Sequence, residues 1–471
     1  MSSPTGLKKT IGLRDLTLFY VAAVMSVRWT AMAASAGPSI LVIWIAALLC
    51  FFVPLAACVM ELSSRYPQEG GLYVWTREAF GDFSGFTAAW AYWMSNLPYL
   101  PGVLYFGAAS VLFAFGPRGR GWSTSPGYFM WFAIIWISVI TLMNILGVNA
   151  GKWLNNVSSL GGTISLAAVI LMGAVSYWRF GAVTRMTAAS LAPHWSLKNG
   201  IFWSSVFFAF AGVEMGSAMG DEIKQPRRVI PLAILMGGWV IVFGYIAGTA
   251  SLLMALPREA VSGPEGFVNG VGALSSHLGV GWMLVPLALL VGLNGVGGAA
   301  ASLSSTSRLP FVAGIDHYLP SAFAKIHPRF RTPWVAIGVY GLAATGMALF
   351  SQAGTTVHGA YDVLVSMSVL TEFLPFLFVF SAMIRVQGQA ATADVRRVPG
   401  GRPVAILLAS VGLTSTILTI VLSVIPTEED PHPAWAVAKV VGATALMVGA
   451  GVIVFLIERR RQSVSFSPAA K

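Results

Sequence analysis

The chain has 471 residues, of which 56% are hydrophobic and only 10% are charged. Soluble domains carry roughly 25% charged residues, so a string of soluble globular domains is excluded and a set of membrane spans is implied. The net charge of +11 is divided among short loops, which excludes the single basic face of a nucleic-acid-binding protein.

Twelve candidate spans follow one another, near 14–35, 39–62, 83–114, 128–147, 155–178, 200–220, 229–256, 280–306, 333–351, 360–385, 402–425 and 434–457. Each holds the roughly 20 apolar residues that a bilayer crossing needs. Span one carries Arg28 in an otherwise apolar run. Lys8, Lys9 and the Ala31-Met32-Ala33 triplet give it the flanks of a secretion signal. The run is too long for one, and another span follows almost at once. Cys50 and Cys58 in span two are eight residues apart, about 12 Å along a helix and too far for a disulfide. Cys/His clusters that would hold a metal are missing from the sequence. Asn96 in span three and Asn294 in span eight are polar groups in apolar runs; they would reach a pocket or bond across helices. Span ten carries Asp362 and Glu372, and Glu372 reads as a pocket-edge or interhelical residue.

Span six is the most informative. It runs FWSSVFFAFAGVEMGSAMG and then turns into DEIKQPRRVIP. Glu214 sits in its apolar part among Gly212, Gly216 and Gly220. A carboxylate in hydrocarbon faces a bundle interior or a watered cavity. Glycines lower helix propensity, and an opened backbone at membrane depth is tolerated only where it lines a cavity. Spans one and six would be equivalent members of two five-helix halves, inverted because five is odd. Each carries one mid-span ionisable residue, Arg28 and Glu214, of opposite sign.

The tails and alternate loops hold Lys8, Lys9, Arg65, Arg77, Arg227, Arg228, Arg308, Arg396, Arg397, Arg459, Arg460 and Arg461, whereas the opposite loops hold only Arg118, Arg120, Arg179, Arg185, Lys198 and Arg258. The positive-inside rule then puts both termini in the cytoplasm of a bacterial inner membrane. The expected organisation is a cytoplasmic tail 1–13, a ten-helix core 14–386, a linker 387–401, two further helices within 402–458 and a second cytoplasmic tail 459–471.

Three patches give the chain a family likeness: PQEGGLYVWTREAFG at 67–81, FFAFAGVEMGSAMGDEIKQPRRVIP at 207–231, and SSTSRLPFVAGIDHYLP at 304–320. With these the chain resembles the amino acid/polyamine/organocation superfamily of secondary transporters over essentially its full length. The resemblance leans toward the branch with glutamate/GABA antiporters and polyamine permeases. It implies an all-α membrane fold of twelve helices, a five-plus-five inverted repeat of leucine-transporter type plus two. It also implies a substrate carboxylate on the helix-one break at Met25, Ser26, Val27 and Arg28. The amine would meet helix-six carbonyls at Phe208, Ala209, Phe210 and Ala211, with Gly212 at the break. The chain departs from the family in two places. Val24–Trp29 lacks the usual helix-one glycines, and Leu160–Thr163 lacks the helix-five lysine of some members.

Glu214 reads as a proton-linked gate or amine partner, against a structural carboxylate bonded to backbone or to Arg28. Arg28 either forks onto a substrate carboxylate or pairs with Glu214. Trp29, Trp203 and Phe210 are candidate gates over the solute, against ordinary packing. Ser304 and Ser305 are a candidate cation site, against hydroxyls that bond helix to helix. Phosphate loops, HExxH and GxSxG are absent, so neither an enzyme nor an ATP-driven pump is expected, and no cofactor. The expected activity is alternating-access transport of an amino acid or related small amine, with protons or sodium as the coupling ion. The alternatives are a polyamine or organic-cation permease and a non-transporting sensor of the same fold.

Overall fold

The computed structural model describes residues 7–261, 265–352, 357–390, 394–424 and 433–465. Residues 1–6 and 466–471 of the expected tails, 391–393 of the expected linker and position 425 of span eleven lie outside them, as does the side chain of Asp362. Helices dominate the described residues, and ten are long and apolar enough to cross a membrane. They are Leu13–Ser35, Ile40–Arg65, Asp82–Phe115, Pro126–Leu146, Gly151–Phe180, Pro226–Ala255, Gly281–Gly314, Trp334–Ser351, Met367–Val386 and Gly401–Val424. These are spans one to five, seven to ten and eleven. Span six is divided into Leu197–Phe208 and Met215–Glu222, so neither piece alone is long enough. Span twelve is the helix Pro433–Ser465.

Burial separates core from periphery. In spans one and three, 83% and 78% of the apolar stretch is enclosed, against 28% in span four and 33% in span eleven. Span four turns Trp131, Ile135 and Leu142 outward, and span seven turns Trp239 and Phe243 outward. In water such faces would aggregate; they suit hydrocarbon. Span eight packs on spans three and five, and span ten on span three. Both five-span halves open with an interrupted helix, the first at 25–27 and the second at 209–214. Four spans lie between the two, so they enter the layer from opposite sides.

Span two contains one wider turn, a π-helical stretch at Leu48–Phe52 between Ile40–Ala47 and Val53–Arg65. Such turns add a residue without breaking the helix. After span two the chain makes a tight loop at Gly70 and Gly71, with φ +106° and +44°. A short helix, Leu72–Phe80, leads into span three.

Candidate functional site

The first helix stops at Val24 and restarts at Arg28. Met25 has φ −78° and ψ 89°, which any residue can adopt, so this break needs no glycine. The second break does need one. Gly212 has φ +117°, and a Cβ there would come within 3.1 Å of the Val24 side chain. The two interruptions therefore lie against each other, and the glycine is required by both backbone shape and contact.

Tyr245 of span seven ties them together. Its hydroxyl donates to the Val24 carbonyl at 2.5 Å, accepts from the Ser26 N–H at 3.2 Å and lies 3.1 Å from the Ala209 carbonyl. The ring stacks on Trp44 at 4.6 Å, and the Phe210 ring meets its face edge-on at 5.6 Å. The groups left over at helix ends are thus partly held by one hydroxyl and partly open to a solute.

Beside the breaks is a cavity of about 20 Å³, bordered by Trp29, Tyr99, Phe208, Ala209, Ala211 and Glu372 among others. That is room for one or two waters, so the site is nearly closed. Trp29 and Phe208 meet edge-to-face at 5.6 Å across it. The Arg28 guanidinium lies over Trp29 at 4.3 Å and over Tyr99 at 5.6 Å. Arg28 is 6% exposed, its Nε has no hydrogen-bond partner, and it makes no ion pair among the described residues.

Glu214 is 1% exposed, and both its oxygens are engaged. Tyr92 of span three donates to Oε1 at 2.5 Å, and the Gly212 N–H donates to Oε2 at 3.0 Å. The carboxylate thus holds the second break in shape and fastens it to span three. Glu372 of span ten is on the cavity wall. Its Oε2 accepts from Ser95 at 2.5 Å and from Asn96 at 3.1 Å. The network runs on, since Ser302 donates to Asn96 Oδ1 at 2.8 Å and Tyr340 donates to the Asn96 carbonyl at 2.9 Å.

The other sequence-derived candidates are more scattered. Met25, Ser26 and Val27 form the first break, and Ser26 keeps a buried hydroxyl with no partner. Phe210 packs between Trp44, Phe52 and Tyr245, behind the cavity. Trp203 lies 5.5 Å from Trp195, off the cavity. Asn294 points toward Gly162 of span five, with its amide nitrogen unpartnered. Ser305 donates to the Met215 carbonyl at 2.7 Å, and Ser304 lies 3.8 Å from the Met219 sulfur. Tyr99, Ser95 and Tyr245 escape a reading by hydropathy. The usable signal for Tyr245 is a phenol in a glycine-lined apolar span, since a buried hydroxyl needs a partner.

One end of the site is sealed where the N-terminal segment meets the end of span six. The N–H groups of Thr10 and Ile11 donate to the Glu222 carbonyl at 3.0 Å, and the Lys224 N–H donates to that of Ile11 at 2.9 Å. Arg308 donates to Glu222 at 2.8 Å and reaches the Ser304 carbonyl. The Asp221 N–H donates to Glu69 at 2.9 Å, and the Gly70 N–H to the Ala218 carbonyl at 3.0 Å. Burial and the neighbouring Glu222 hold the Glu69 carboxyl well above the ordinary carboxylate range, against the pull of Arg308. Tyr73 and Arg77 both bond Asp316 across the rim.

Residues 11–451 match the sequence model of a family described as amino acid permease. The chain is 27% identical to an uncharacterised transporter of Legionella pneumophila, over 90% of this chain and 91% of that protein. It is 24% identical to a probable agmatine/putrescine antiporter of Lactococcus lactis, over 96% and 94%. It is 26% identical to a serine/threonine exchanger of Bacillus subtilis, over 89% and 93%.

Proposed function

Because the chain belongs to the amino acid permease family, it is a membrane transporter and not an enzyme, and we propose that its solute binds where the two helix breaks meet. The observation that carries this reading is the pair of opposed interruptions, touching at Gly212 and Val24 beside an enclosed cavity. Continuous helices would leave no open main-chain groups there. The solute's amine lies toward the second break, at Phe208–Gly212, and its carboxylate toward the first, at Met25–Arg28. A cavity this small, with the end of span six tied to the N-terminal segment, fits a closed state of an alternating-access cycle. The sealed end faces the cytoplasm, a reading supported by the excess of basic residues in the loops and tails on that side.

Protons are the coupling ion that this arrangement favours over sodium. Two buried carboxylates, Glu214 and Glu372, sit inside the bundle, while Ser304 and Ser305 both turn toward span six. The test is uptake of a labelled amino acid panel into proteoliposomes with and without a pH gradient. Gradient-driven uptake by the natural protein that collapses in Glu214→Gln supports coupling through this break. Undiminished gradient-driven uptake by that variant removes Glu214 from the coupling role.

A further inference from the structure

The two buried carboxylates of the site differ in what they have left to offer. Glu214 has a donor on each oxygen, Tyr92 on one and Gly212 on the other. Glu372 has both its donors, Ser95 and Asn96, on Oε2. No donor among the described residues reaches its Oε1, and the residue borders the cavity. Among the cavity's wall residues it is the one acidic side chain, and the rest of the wall is largely aromatic and apolar: Trp29, Tyr99, Phe208, Ala209 and Ala211. Arg28 does not border the cavity; its guanidinium stacks on Trp29 and Tyr99.

A carboxylate with an open oxygen, set among aromatic faces, is the chemistry that holds an ammonium group. An anion placed there would meet Glu372 directly, whereas the nearby cation, Arg28, stacks on the Trp29 and Tyr99 rings and is not on the wall itself. An uncharged solute would leave the carboxylate buried and unpaired, which is costly. We propose that Glu372 pairs with the ammonium group of the solute, so that recognition is of a primary amine and does not depend on a carboxylate. This rests on the reading of the cavity as the transport site and adds the residue that sets its selectivity. Ser95 and Asn96 act as positioning residues, since their bonds to Oε2 leave Oε1 to the solute. Decarboxylated amines therefore bind as well as amino acids do.

The test is direct binding to the purified protein in detergent, by thermal shift and by displacement of a labelled ligand. The probes are serine, ethanolamine (its decarboxylated counterpart), putrescine and lactate. The natural protein is expected to bind the three amines and not lactate. Glu372→Gln, which preserves size, is expected to weaken amine binding by ten-fold or more. Glu372→Asp, which keeps the charge on a shorter arm, is expected to fall between. Matching elution profiles and melting points without ligand show that both variants fold. If only the Gln variant misfolds, the Asp variant and the ethanolamine-to-serine ratio of the natural protein decide the matter. Serine binding without ethanolamine or putrescine binding overturns the proposal while leaving the transport site standing. Amine binding unchanged in Glu372→Gln overturns it as well, even where pH-driven uptake is lost. Failure of the natural protein to bind any of the four overturns both the proposal and the site reading.

Discussion

The hydroxyl of Tyr245 makes the sharpest test of how the two helix breaks are held together. Tyr245→Phe removes one oxygen and keeps the ring that stacks on Trp44 at 4.6 Å. The Val24 carbonyl loses a donor at 2.5 Å, and the Ser26 N–H loses an acceptor at 3.2 Å. The Ala209 carbonyl, 3.1 Å away, competes for the same proton and so adds no full bond. The Ser26 N–H keeps a second contact, to the Val24 carbonyl at 2.9 Å. The Val24 carbonyl thus keeps that one donor, and the loss is two bonds, one at the Val24 carbonyl and one at the Ser26 N–H. Each is worth about 0.5–1.5 kcal/mol net. A net of about 2 kcal/mol makes the closed arrangement roughly 30-fold rarer relative to open ones. Solute exchange must pass through that arrangement, so counterflow into preloaded proteoliposomes slows by about an order of magnitude or more. Melting of the purified variant falls in parallel. Counterflow and melting both at natural values would show that the hydroxyl is not what joins the breaks.

Two further outcomes concern the sealed end. The raised Glu69 carboxyl, facing Glu222, Asp221 and Arg308, binds its proton more tightly when sealed than when open. Its contribution to closure is complete below the ordinary carboxylate range, near pH 4.3, and is lost as pH rises through the raised value. Exchange measured against internal pH is thus expected to show an opening step as pH rises, which Glu69→Gln abolishes; a variant that retains the step assigns it to another group. Gly71→Ala combines a strained φ of +44° with a Cβ against Ser217 and 2.9 Å from the Ala218 nitrogen. It is expected to cost more than about 2 kcal/mol in melting experiments and to impair closure. Gly81→Ala is the control, with φ +88° and nothing within 4 Å. It carries the backbone cost alone, so equal losses in the two variants would contradict the close approach.

Much of the architecture was legible because hydropathy reports spans, and glycines around a buried charge report an opened helix. The glycines around Glu214 marked span six as a weak helix, and the family likeness put the break at Gly212; the positive φ there is what the structure adds. The break at Met25–Val27 carries no such mark, because its backbone angles are open to any residue; only the likeness to known transporters placed it. The relation of Arg28 to Glu214 was not readable. Opposite signs in paired spans say nothing about distance, and the structure occupies Glu214 with Tyr92 and Gly212 while Arg28 stacks on rings. Tyr245 was hidden because one phenol hardly alters the hydropathy of a thirty-residue helix. Glu372 was noticed as an edge residue, but which of its oxygens is unclaimed depends on Ser95 and Asn96, far away in sequence.

The widened turn at Leu48–Phe52 has a bearing on how this chain tolerates length change. On its N-terminal side, Trp44 reaches Tyr245 and bonds Thr249; on its C-terminal side, Glu61 accepts from Arg65, Gln387 and the Val398 N–H. Excising any single residue between 48 and 52 would let the helix run on at regular α pitch, with Pro54 still giving no backbone donor. It would also rotate one half against the other by about 100°. Trp44 and Glu61 would no longer address their partners at the same time. The surplus residue is thus a phase spacer, and a deletion that looks harmless to the helix would uncouple its two ends.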